Sequence, residues 1–490
     1  MKKRHVLPVL IGVLLVFVSI PAIYLLKTNL NENNPNTPLP SHYTNDASGL
    51  SFTRVDTIIT VAETRSELIP QLQAVLRYAK AANKPVSIAG AKHTMGGHTL
   101  YPDGIVLNMR PFREMHLDTV TNLLTIGSGA LWEEAIRYLD PFNRSIAVMQ
   151  AFSSFSIGGS LSVNGHGWQK NSPPLSSSVV SFTLMDHNGE VLTCSRTENQ
   201  ELFSLVMGGY GLFGIILEVK LRVVPNENLT FTLYKFKSAD YLTWFKTYAS
   251  DNQDVKLVFG RLNVSQKEFL EHATLNVFAS AKIPLPPKPM QSDPAFTEVK
   301  RLIFRNSVNS EFGKRLRWDL ETGIGEFSGR GTFSRNELLN DSVSLIENKD
   351  TASTDILQEY FIPERHFNAY IAELKKVLPN QTIDLLNITI RDVYQDTDSY
   401  LAYARENVFG FVFLFNQKKN ASDEAEMEKL TKRLVELAIQ MEGTYYLPYR
   451  LHIDRDTFRI VYPQADAFFR LKLKYDPDEL FRNKFYDHYK

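Results

Sequence analysis

Two glycine-rich segments constrain this chain more than any other feature. The first, Ile88-Ala-Gly-Ala-Lys-His-Thr-Met-Gly-Gly-His98, follows a short apolar run and predicts a strand that enters a turn. The second is Ser153-Ser-Phe-Ser-Ile-Gly-Gly-Ser-Leu-Ser-Val-Asn-Gly-His-Gly167. Glycines allow φ > 0 at such turns, and successive backbone N–H groups can then form a nest that binds an anion such as pyrophosphate. The pair predicts one large phosphate-bearing cofactor; the alternative is two hairpin turns in a β-rich domain.

A third segment, Gly209-Tyr-Gly-Leu-Phe-Gly214, fits the dinucleotide signature G-x-G-x-x-G but not its context. That motif requires a strand before it and a helix after it. The residues that follow are Ile215-Ile-Leu-Glu-Val-Lys-Leu-Arg-Val223, in which apolar and charged side chains alternate. Because such alternation predicts a half-buried strand, the sequence argues against a Rossmann site here.

Composition and charge restrict the class of protein. The 490 residues carry 54 basic and 54 acidic side chains. This neutrality argues against a nucleic-acid partner, for which a basic face is typical. The hydrophobic fraction of 43% is typical of a folded globular protein. The single cysteine, Cys194, excludes an internal disulfide and a cysteine zinc cluster, and we predict no metal site.

The N-terminus predicts a membrane anchor over residues 1–27. The basic cluster Met1-Lys-Lys-Arg4 precedes an almost wholly apolar run, and about 20 such residues span a bilayer core. The basic flank should stay in the cytoplasm, so the catalytic part of a single-pass protein is expected outside it. A cleaved signal peptide is the alternative, although Ser19-Ile-Pro-Ala22 is a weak cleavage site. Residues 28–50, which are rich in Asn and Pro, predict a flexible linker.

The rest of the chain mixes helix and strand patterns and predicts an α+β fold. In the first region, residues 51–225, we predict a helix over 66–82, with Ser66 as its N-cap, and a second helix over 131–139. We also predict strands over 105–108 and 122–126. Two further strands, over 179–185 and 191–194, should form a hairpin. In the second region, residues 226–442, we predict strands near Phe231, Leu257 and Leu275 and over 355–363, 386–391 and 408–415, and a helix over 423–441. These strands and helices predict an antiparallel sheet that is covered on one face.

Taken together, the three glycine segments resemble the FAD-binding domain of the vanillyl-alcohol oxidase / p-cresol methylhydroxylase family. The tail, with Tyr462-Pro463 and Lys474-Tyr-Asp-Pro-Asp-Glu-Leu-Phe481, resembles the C-terminal return of these oxidoreductases. The resemblance implies a two-subdomain FAD-binding domain over 51–225 and a substrate (cap) domain over 226–442. It also implies that residues 443–490 return to the flavin site, and that the cofactor is FAD.

In this family the first segment wraps the pyrophosphate, the second passes beside it and the flavin, and the third approaches the adenine half. The cofactor-binding residues that this implies are Ala89, Gly90, Ala91, Lys92, His93, Thr94, Met95, Gly96, Ser153, Ser154, Ile157, Gly158, Gly159, Asn164, His166, Gly167, Gly211, Gly214, Ile215, Ile216 and Tyr446.

His93 lies where covalently flavinylated members carry the histidine that is bonded to the flavin. A neutral imidazole is a competent nucleophile, so a covalent FAD is expected. The alternative is noncovalent FAD, as in the ribose-oxidase branch, which lacks a histidine there. His98 and His166 are expected to be loop or substrate-side groups.

Two branches are most similar: decaprenylphosphoryl-ribose oxidase, and the sugar-alcohol and aldonolactone oxidases. Arg391, in Ile388-Thr-Ile-Arg391, matches the Glu-x-Arg pattern of the second branch, but Thr389 replaces its glutamate. Glu359 is the candidate for the missing carboxylate, and a solvent-facing Glu359 is the alternative. Because side chains alternate along a strand, Gln358 and Tyr360 would lie on the face opposite to Glu359. Either Glu359 or this pair can therefore face the flavin, but not both.

The clearest departure from both branches is Tyr446-Leu-Pro-Tyr449, because they carry a lysine where this chain has Tyr449. Tyr446 would remain the aromatic neighbour of the flavin. Since an arginine can lower the pKa of a phenol, Tyr449 beside Arg450 is predicted to act as a base; packing at a domain seam is the alternative. Arg391 would stabilise charge on the flavin or an alkoxide. The predicted catalytic residues are Tyr446, Tyr449, Arg391 and Glu359.

The implied activity is FAD-dependent oxidation of a hydroxyl-bearing carbon by hydride transfer to flavin N5. The donor would be a sugar, polyol, lactone or lipid-linked sugar, and the electron acceptor O2 or a membrane carrier. Two alternatives without redox activity remain: a degenerate flavin fold kept as a scaffold, and a sugar-binding surface protein.

Overall fold

The computed structural model describes residues 28, 39–282, 294–328 and 331–490. The predicted anchor over 1–27 lies outside the described residues, as does much of the predicted linker. Within the described ranges, no helix is both long and apolar enough to cross a membrane. The anchor and the extracytoplasmic location therefore stay predictions.

The strands of the described part are short at the N-terminus and long in the second half of the chain. In order, they are β1 (Tyr43–Thr44), β2 (Thr53–Arg54), β3 (Thr57–Thr60), β4 (Val86–Ala89), β5 (Ile105–Asn108), β6 (Met115–Asp118), β7 (Leu123–Gly127), β8 (Arg144–Ile146), β9 (Val179–Met185), β10 (Val191–Ser195), β11 (Ile215–Pro225), β12 (Asn228–Lys237), β13 (Val255–Leu262), β14 (His272–Ser280), β15 (Thr332–Ser334), β16 (Ser353–Pro363), β17 (Asp384–Val393), β18 (Val408–Lys418) and β19 (Thr444–Tyr445).

The α-helices of the same ranges lie between and after these strands. They are α1 (Arg65–Ala81), α2 (Trp132–Leu139), α3 (Ile157–Ser162), α4 (Gln200–Val206), α5 (Tyr241–Phe245), α6 (Pro294–Arg305), α7 (Glu311–Ser328), α8 (Arg335–Leu339), α9 (Phe367–Val377), α10 (Ala421–Gln440), α11 (Arg455–Val461), α12 (Ala465–Tyr475) and α13 (Lys484–Tyr489).

A three-stranded parallel sheet, in the order β3-β5-β4, leads into the first glycine segment. Parallel neighbours need a crossover connection, and α1 lies between β3 and β4 in the chain. The helix buries Leu68, Leu72 and Leu76 in one apolar cluster with Ile105 and Leu107 of β5. The sheet therefore fixes the point from which the first segment departs at the end of β4.

A second sheet is antiparallel and has the order β10-β9-β11-β7-β6, with β8 also paired to β11. The predicted hairpin of β9 and β10 is confirmed, with Gly189 at φ +83° in its turn. The third glycine segment runs directly into β11, so the structure confirms the predicted strand after the G-x-G-x-x-G pattern.

The third sheet has eight antiparallel strands in the order β15-β12-β14-β13-β17-β18-β16-β19, which confirms the predicted antiparallel architecture. Helices α9 and α10 contact β16, and α10 also contacts β18. Leu357 and Glu359 of β16 and Val412 of β18 point to the other face, towards the glycine segments. The fold is thus α+β, and its largest sheet presents one face to the segments that carry the cofactor motifs.

The second glycine segment differs from the prediction, because its residues Ile157–Ser162 form the short helix α3 rather than an open turn. Gly158 allows this, since a Cβ there would come within 2.8 Å of the Ser128 side chain. The start of α1 differs too. Thr64 rather than Ser66 occupies the N-cap position, and its hydroxyl bonds the Glu67 side chain instead of a helix N–H.

Candidate active site

A cavity of about 1300 Å³, counting its open mouth, lies between the glycine segments and the eight-stranded sheet. The expected cofactor residues that line it are Gly90, Ala91, Lys92, His93, Thr94, Gly158, Gly159, His166, Gly211, Gly214, Ile216 and Tyr446. All four expected catalytic residues, Tyr446, Tyr449, Arg391 and Glu359, line it as well.

The other expected cofactor residues do not line the cavity. They are Ala89, Met95, Gly96, Ser153, Ser154, Ile157, Asn164, Gly167 and Ile215. Ile157 and Ile215 lie in the apolar core, and the Asn164 amide donates to Asp396. Ser153 bonds the backbone of Asp341, and Met95 Sδ accepts from the N–H of Leu357. These residues hold the segments in place rather than face the cavity.

Several lining residues were not expected. They are Ile88, Thr99, Met109, Ser128, Gln150, Ala151, Phe152, Phe155, Ser156, Ser160, Ser162, Val163, Tyr210, Leu357, Val412 and Pro448. Those inside the glycine segments, such as Phe155 and Tyr210, could have been found by taking each whole segment as the site. Ser128, Gln150 and Val412 lie outside any motif, so only the fold brings them to the cavity.

The first and second glycine segments are joined by direct contacts. A Cβ on Gly90 would come within 2.0 Å of Ser156 Oγ, so only glycine permits this approach. The same Ser156 Oγ accepts a hydrogen bond from the N–H of Ala91 at 3.1 Å. Together the segments form a close cradle along one wall of the cavity.

Lining residues also contain buried polar atoms without a hydrogen-bond partner in the described part of the chain. These atoms are Thr94 Oγ1, His98 Nδ1, Thr99 Oγ1, Ser128 Oγ and His166 Nδ1. Folded proteins satisfy nearly all of their buried polar atoms, so a cluster of exceptions indicates that a polar ligand belongs there. The donor and acceptor chemistry of this set fits a cofactor that is rich in hydroxyl, amide and phosphate groups.

Glu359 forms the centre of the wall that the sheet contributes. It is 6% exposed, which excludes the solvent-facing alternative. One carboxylate oxygen accepts from His166 Nε2 at 2.5 Å, and the other accepts from the Tyr449 hydroxyl. Gln358 and Tyr360 point to the opposite face, where the Tyr360 hydroxyl donates to the Gln358 amide at 2.7 Å. The sheet therefore turns Glu359, and not its two neighbours, towards the cavity.

The charge state of Glu359 follows from its neighbours. Burial alone would raise the pKa of its carboxyl, but His166, Arg391 and the hydrogen bonds from His166 and Tyr449 outweigh burial and hold that pKa below its ordinary value. The group is therefore an anion at neutral pH. Arg391 lies beside it and donates to the backbone oxygen of His166 at 3.5 Å.

The prediction that Tyr449 has a lowered pKa is wrong. Burial, followed by the negative charge of Glu359, raises the pKa of Tyr449 well above its ordinary value. The neighbouring Arg450 does not counter this, because its guanidinium turns away to Glu424 at 3.0 Å. Tyr449 is thus a protonated phenol that donates to Glu359, and it is not itself a base at neutral pH.

Tyr446 forms a rigid part of the same wall. Its hydroxyl donates to the backbone oxygen of Val163 at 2.7 Å, which ties it to the end of the second glycine segment. Its ring lies 5.8 Å from that of Tyr449, at an interplanar angle of 81°. The C-terminal segment therefore connects the sheet to the cradle through this residue.

The comparison with known families decides what the cradle holds. Residues 64–195 match the family model described as an FAD binding domain. The chain therefore carries an FAD-binding domain, and its relatives are flavoproteins of the vanillyl-alcohol oxidase / p-cresol methylhydroxylase family. FAD is its cofactor, and the resemblance drawn from the glycine segments is confirmed.

Relatives of this flavoprotein differ in how much of the chain they match. The decaprenylphosphoryl-β-D-ribose oxidase of Mycolicibacterium smegmatis is 23% identical over 461 residues, covering 86% of this chain and 93% of that protein. The L-gulonolactone oxidase of Bos taurus is 28% identical over 167 residues, covering 34% and 38%. Cytokinin dehydrogenase 8 of Oryza sativa subsp. indica is 31% identical over 173 residues, covering 32% of each. The chain thus spans only about a third of the length of the latter two relatives.

In this flavoprotein His93 has the properties that a covalent attachment needs. It lines the cavity, and its ring lies 4.4 Å from that of Phe155. Burial lowers the pKa of His93 to about 4, in spite of a backbone hydrogen bond with Ser154, so the imidazole is neutral. A neutral ring is the nucleophilic form, but the covalent link itself stays a prediction.

Proposed function

We propose that this flavoprotein oxidises a hydroxyl-bearing carbon of a sugar, polyol, lactone or lipid-linked sugar, and that Glu359 accepts the hydroxyl proton. The observation that carries the proposal is the hydrogen-bonded set of Tyr449, Glu359 and His166 in the cavity wall. Bound FAD supplies the redox chemistry by taking up the carbon-bound hydrogen as hydride, and the protein supplies orientation and a proton acceptor.

Tyr449 provides the path by which the proton reaches Glu359. Its O–H donates to the carboxylate, so its oxygen has lone pairs left to accept from a donor hydroxyl. As the donor O–H transfers its proton to the phenol oxygen, the phenol proton passes to the carboxylate oxygen that already accepts it. The phenol is neutral before and after this relay, which agrees with its raised pKa.

His166 and Arg391 orient the acceptor and stabilise charge. The 2.5 Å contact from His166 Nε2 fixes one oxygen of Glu359, which leaves the other directed at Tyr449. The Arg391 guanidinium is a fixed cation, and such a group stabilises an oxyanion that develops in a water-poor cavity. The protein thus offers an acceptor for the proton and a countercharge for the oxygen that loses it.

The partners and the location of the protein are also proposals. We infer a single-pass anchor over residues 1–27, with the catalytic part outside the cytoplasm, from the basic flank and apolar run. The electron acceptor is O2 or a membrane carrier. The names of the relatives range from a ribose oxidase to cytokinin dehydrogenases, so amine donors belong in the test.

The test is a screen of FAD-loaded protein, without oxygen, for loss of flavin absorbance on mixing with donors. The panel contains polyols, aldoses, aldonolactones and secondary amines at equal concentration. We expect polyols or sugars to bleach the flavin. In Glu359→Gln the same donors should bleach the flavin at least about a hundredfold more slowly. Bleaching by the amines alone, or by no compound while the protein is yellow, would contradict the proposal.

A further inference from the structure

The side of β17 that faces the cavity carries polar residues in addition to the predicted catalytic residue Arg391. Asn387, Thr389 and Arg391 alternate along this strand and are half-buried. The residues between them, Ile388 and Ile390, are fully buried on the other face. Helix α7 meets part of this strand, where Arg317 donates to the backbone oxygen of Leu386. The polar alternation beyond that contact calls for further polar partners, in a ligand or in solvent.

Strand register connects this face to the catalytic carboxylate. Glu359 lies opposite Val412, Val412 opposite Thr389, and Thr389 opposite Arg261 of β13. Residues that are directly opposite share one face of a sheet. Since neighbouring strands lie about 4.8 Å apart, Thr389 is roughly 10 Å and Arg261 roughly 14 Å from Glu359 along this row. Val412 lines the cavity, so the row continues outward from it.

We call Asn387, Thr389 and Arg261 the polar strip, and its hydrogen bonds are incomplete. The Asn387 amide donates to Thr389 Oγ1 at 2.9 Å, while Asn387 Oδ1 has no partner in the described residues. Arg261 pairs with Glu321 at 2.5 Å, but its Nε also lacks a partner there. An amide oxygen and a guanidinium N–H therefore remain for a further group to satisfy.

The chemistry of the strip suits hydroxyl groups on a ring. The charge of Arg261 is neutralised by Glu321, so the strip offers polar contacts without a free cation for an anionic ligand. Beside it, Phe259 lies under the Arg261 guanidinium at 5.8 Å, and the Trp168 ring lies 5.4 Å from that of Phe259. Trp168 is buried and supports Phe259, which is half-buried. An aromatic side chain next to hydrogen-bonding groups matches a sugar, which has apolar C–H faces and a rim of hydroxyls.

We propose that the polar strip is a second sugar subsite, which binds an uncharged glycosyl unit attached to the polyol or sugar that reacts at Glu359. This inference rests on the proposed function and names its substrate class: glycosylated rather than single-unit donors. Binding energy from the remote unit then holds the reacting carbon against Glu359 and Tyr449.

The test compares sorbitol with maltitol, which is the same polyol carrying a glucosyl unit. Each is titrated calorimetrically, without oxygen, into FAD-loaded protein whose flavin has been reduced beforehand, so that no turnover occurs. Thr389→Val and Asn387→Leu remove the two uncharged contacts. Thr232→Val is the matched control, because Thr232 is exposed on β12 of the same sheet.

We expect the wild-type protein and Thr232→Val to bind maltitol about tenfold more tightly than sorbitol. A hydrogen bond contributes about 1 kcal/mol, so each strip variant should lose about fivefold in maltitol affinity with sorbitol unchanged. Equal affinity for the two ligands in the wild type, or equal loss for both in the variants, would overturn the subsite. FAD content shows whether each variant is folded.

The two proposals fail in different ways. If maltitol binds as expected but no alcohol bleaches the oxidised flavin, the subsite stands and the proposed oxidation fails. If alcohols bleach the flavin with no preference for the glycosylated donor, the oxidation stands and the subsite fails.

Discussion

Glu359 is held as an anion at a position where burial alone would raise the pKa of its carboxyl. Its two oxygens accept from His166 and Tyr449, and Arg391 adds a positive charge nearby. Replacing one member of such a set leaves a buried group without its partner, which costs about 1–3 kcal/mol. In the proposed reaction, the same arrangement connects Glu359 to the donor through the phenol of Tyr449.

Tyr449→Phe tests the relay at the level of one hydroxyl. We expect normal FAD content and donor affinity, with flavin reduction slower by about a hundredfold because the proton loses its path. Stopped-flow reduction at saturating donor separates slower chemistry from weaker binding. The matched control is Tyr475→Phe, which removes a hydroxyl that also donates to a glutamate, Glu201, but on the surface. If both variants reduce at the wild-type rate, Tyr449 is a packing residue.

His93 makes a second prediction at the scale of one residue. Its neutral imidazole lines the cavity, so we expect a covalent bond to FAD. Acid precipitation of the purified protein should leave the yellow colour in the pellet, and His93→Ala should release it or lose FAD altogether. Complete release of FAD from the wild-type protein into the supernatant would show that the link does not form.

Helix α10 carries the interaction network that holds the C-terminal segment beside the first glycine segment. Glu424 of α10 accepts from Arg450 at 3.0 Å and from His452 at 2.9 Å. Arg450 also donates to the backbone oxygen of Met95 at 3.2 Å. The helix is capped by Asn420, whose side chain accepts from the N–H of Asp423. Tyr449 is therefore positioned by a helix on the far side of the sheet.

This network predicts how stability depends on pH. Burial raises the pKa of Glu424, but His452 and Arg450 outweigh it and lower that pKa to about 2 from an ordinary 4.5. A lowered carboxyl pKa contributes stability above pH 4.5 that is lost as the pH falls towards 2. Glu424→Gln should therefore destabilise the protein at pH 7 by about 1–3 kcal/mol, and by less at pH 3.

Thermal melting of the wild type and Glu424→Gln at pH 7 and pH 3 measures this effect. Glu428→Gln is the control, since Glu428 pairs with Lys432 on the exposed side of the same helix. This replacement should change the free energy of unfolding by less than about 1 kcal/mol. A difference between Glu424→Gln and wild type that is as large at pH 3 as at pH 7 would rule out the ionised carboxylate as its source.

Among the elements, the strands were predicted best, because apolar and polar side chains alternate along them. The alternation in β11 argued against a Rossmann site and predicted the strand that the structure shows, and in β16 it correctly separated Glu359 from Gln358 and Tyr360. The helix α3 was missed because glycines are poor helix formers, and here they are required by contact with Ser128. The pKa of Tyr449 was predicted in the wrong direction because its partner Glu359 lies 90 residues away, while the adjacent Arg450 turns elsewhere.

At the scale of the whole molecule, the cavity exists because two halves of the chain meet. The glycine segments leave the smaller sheets, and Glu359 and Arg391 project from the eight-stranded sheet. The C-terminal segment joins them: Val86 of β4 pairs with Phe481, and Tyr446 reaches Val163. The cradle and the residues proposed to handle the proton therefore come from different sheets, and no single motif contains both.

The proposed anchor is also a property of the whole molecule. Protein that starts at Met1 should sediment with membranes and withstand a salt wash, whereas a version that lacks residues 1–27 should remain in the supernatant. A tag on the N-terminus should stay attached to the membrane-bound form. A mature protein that begins near residue 23 would instead indicate a cleaved signal peptide.

In the proposed reaction, a carboxylate from the eight-stranded sheet accepts the donor's proton beside FAD held by the other half of the molecule. The most direct test is anaerobic flavin reduction by the preferred alcohol in the wild type and in Glu359→Gln, at saturating donor and equal FAD content. We expect rapid bleaching of the wild type and bleaching at least about a hundredfold slower in the variant. Reduction of Glu359→Gln at the wild-type rate would contradict it.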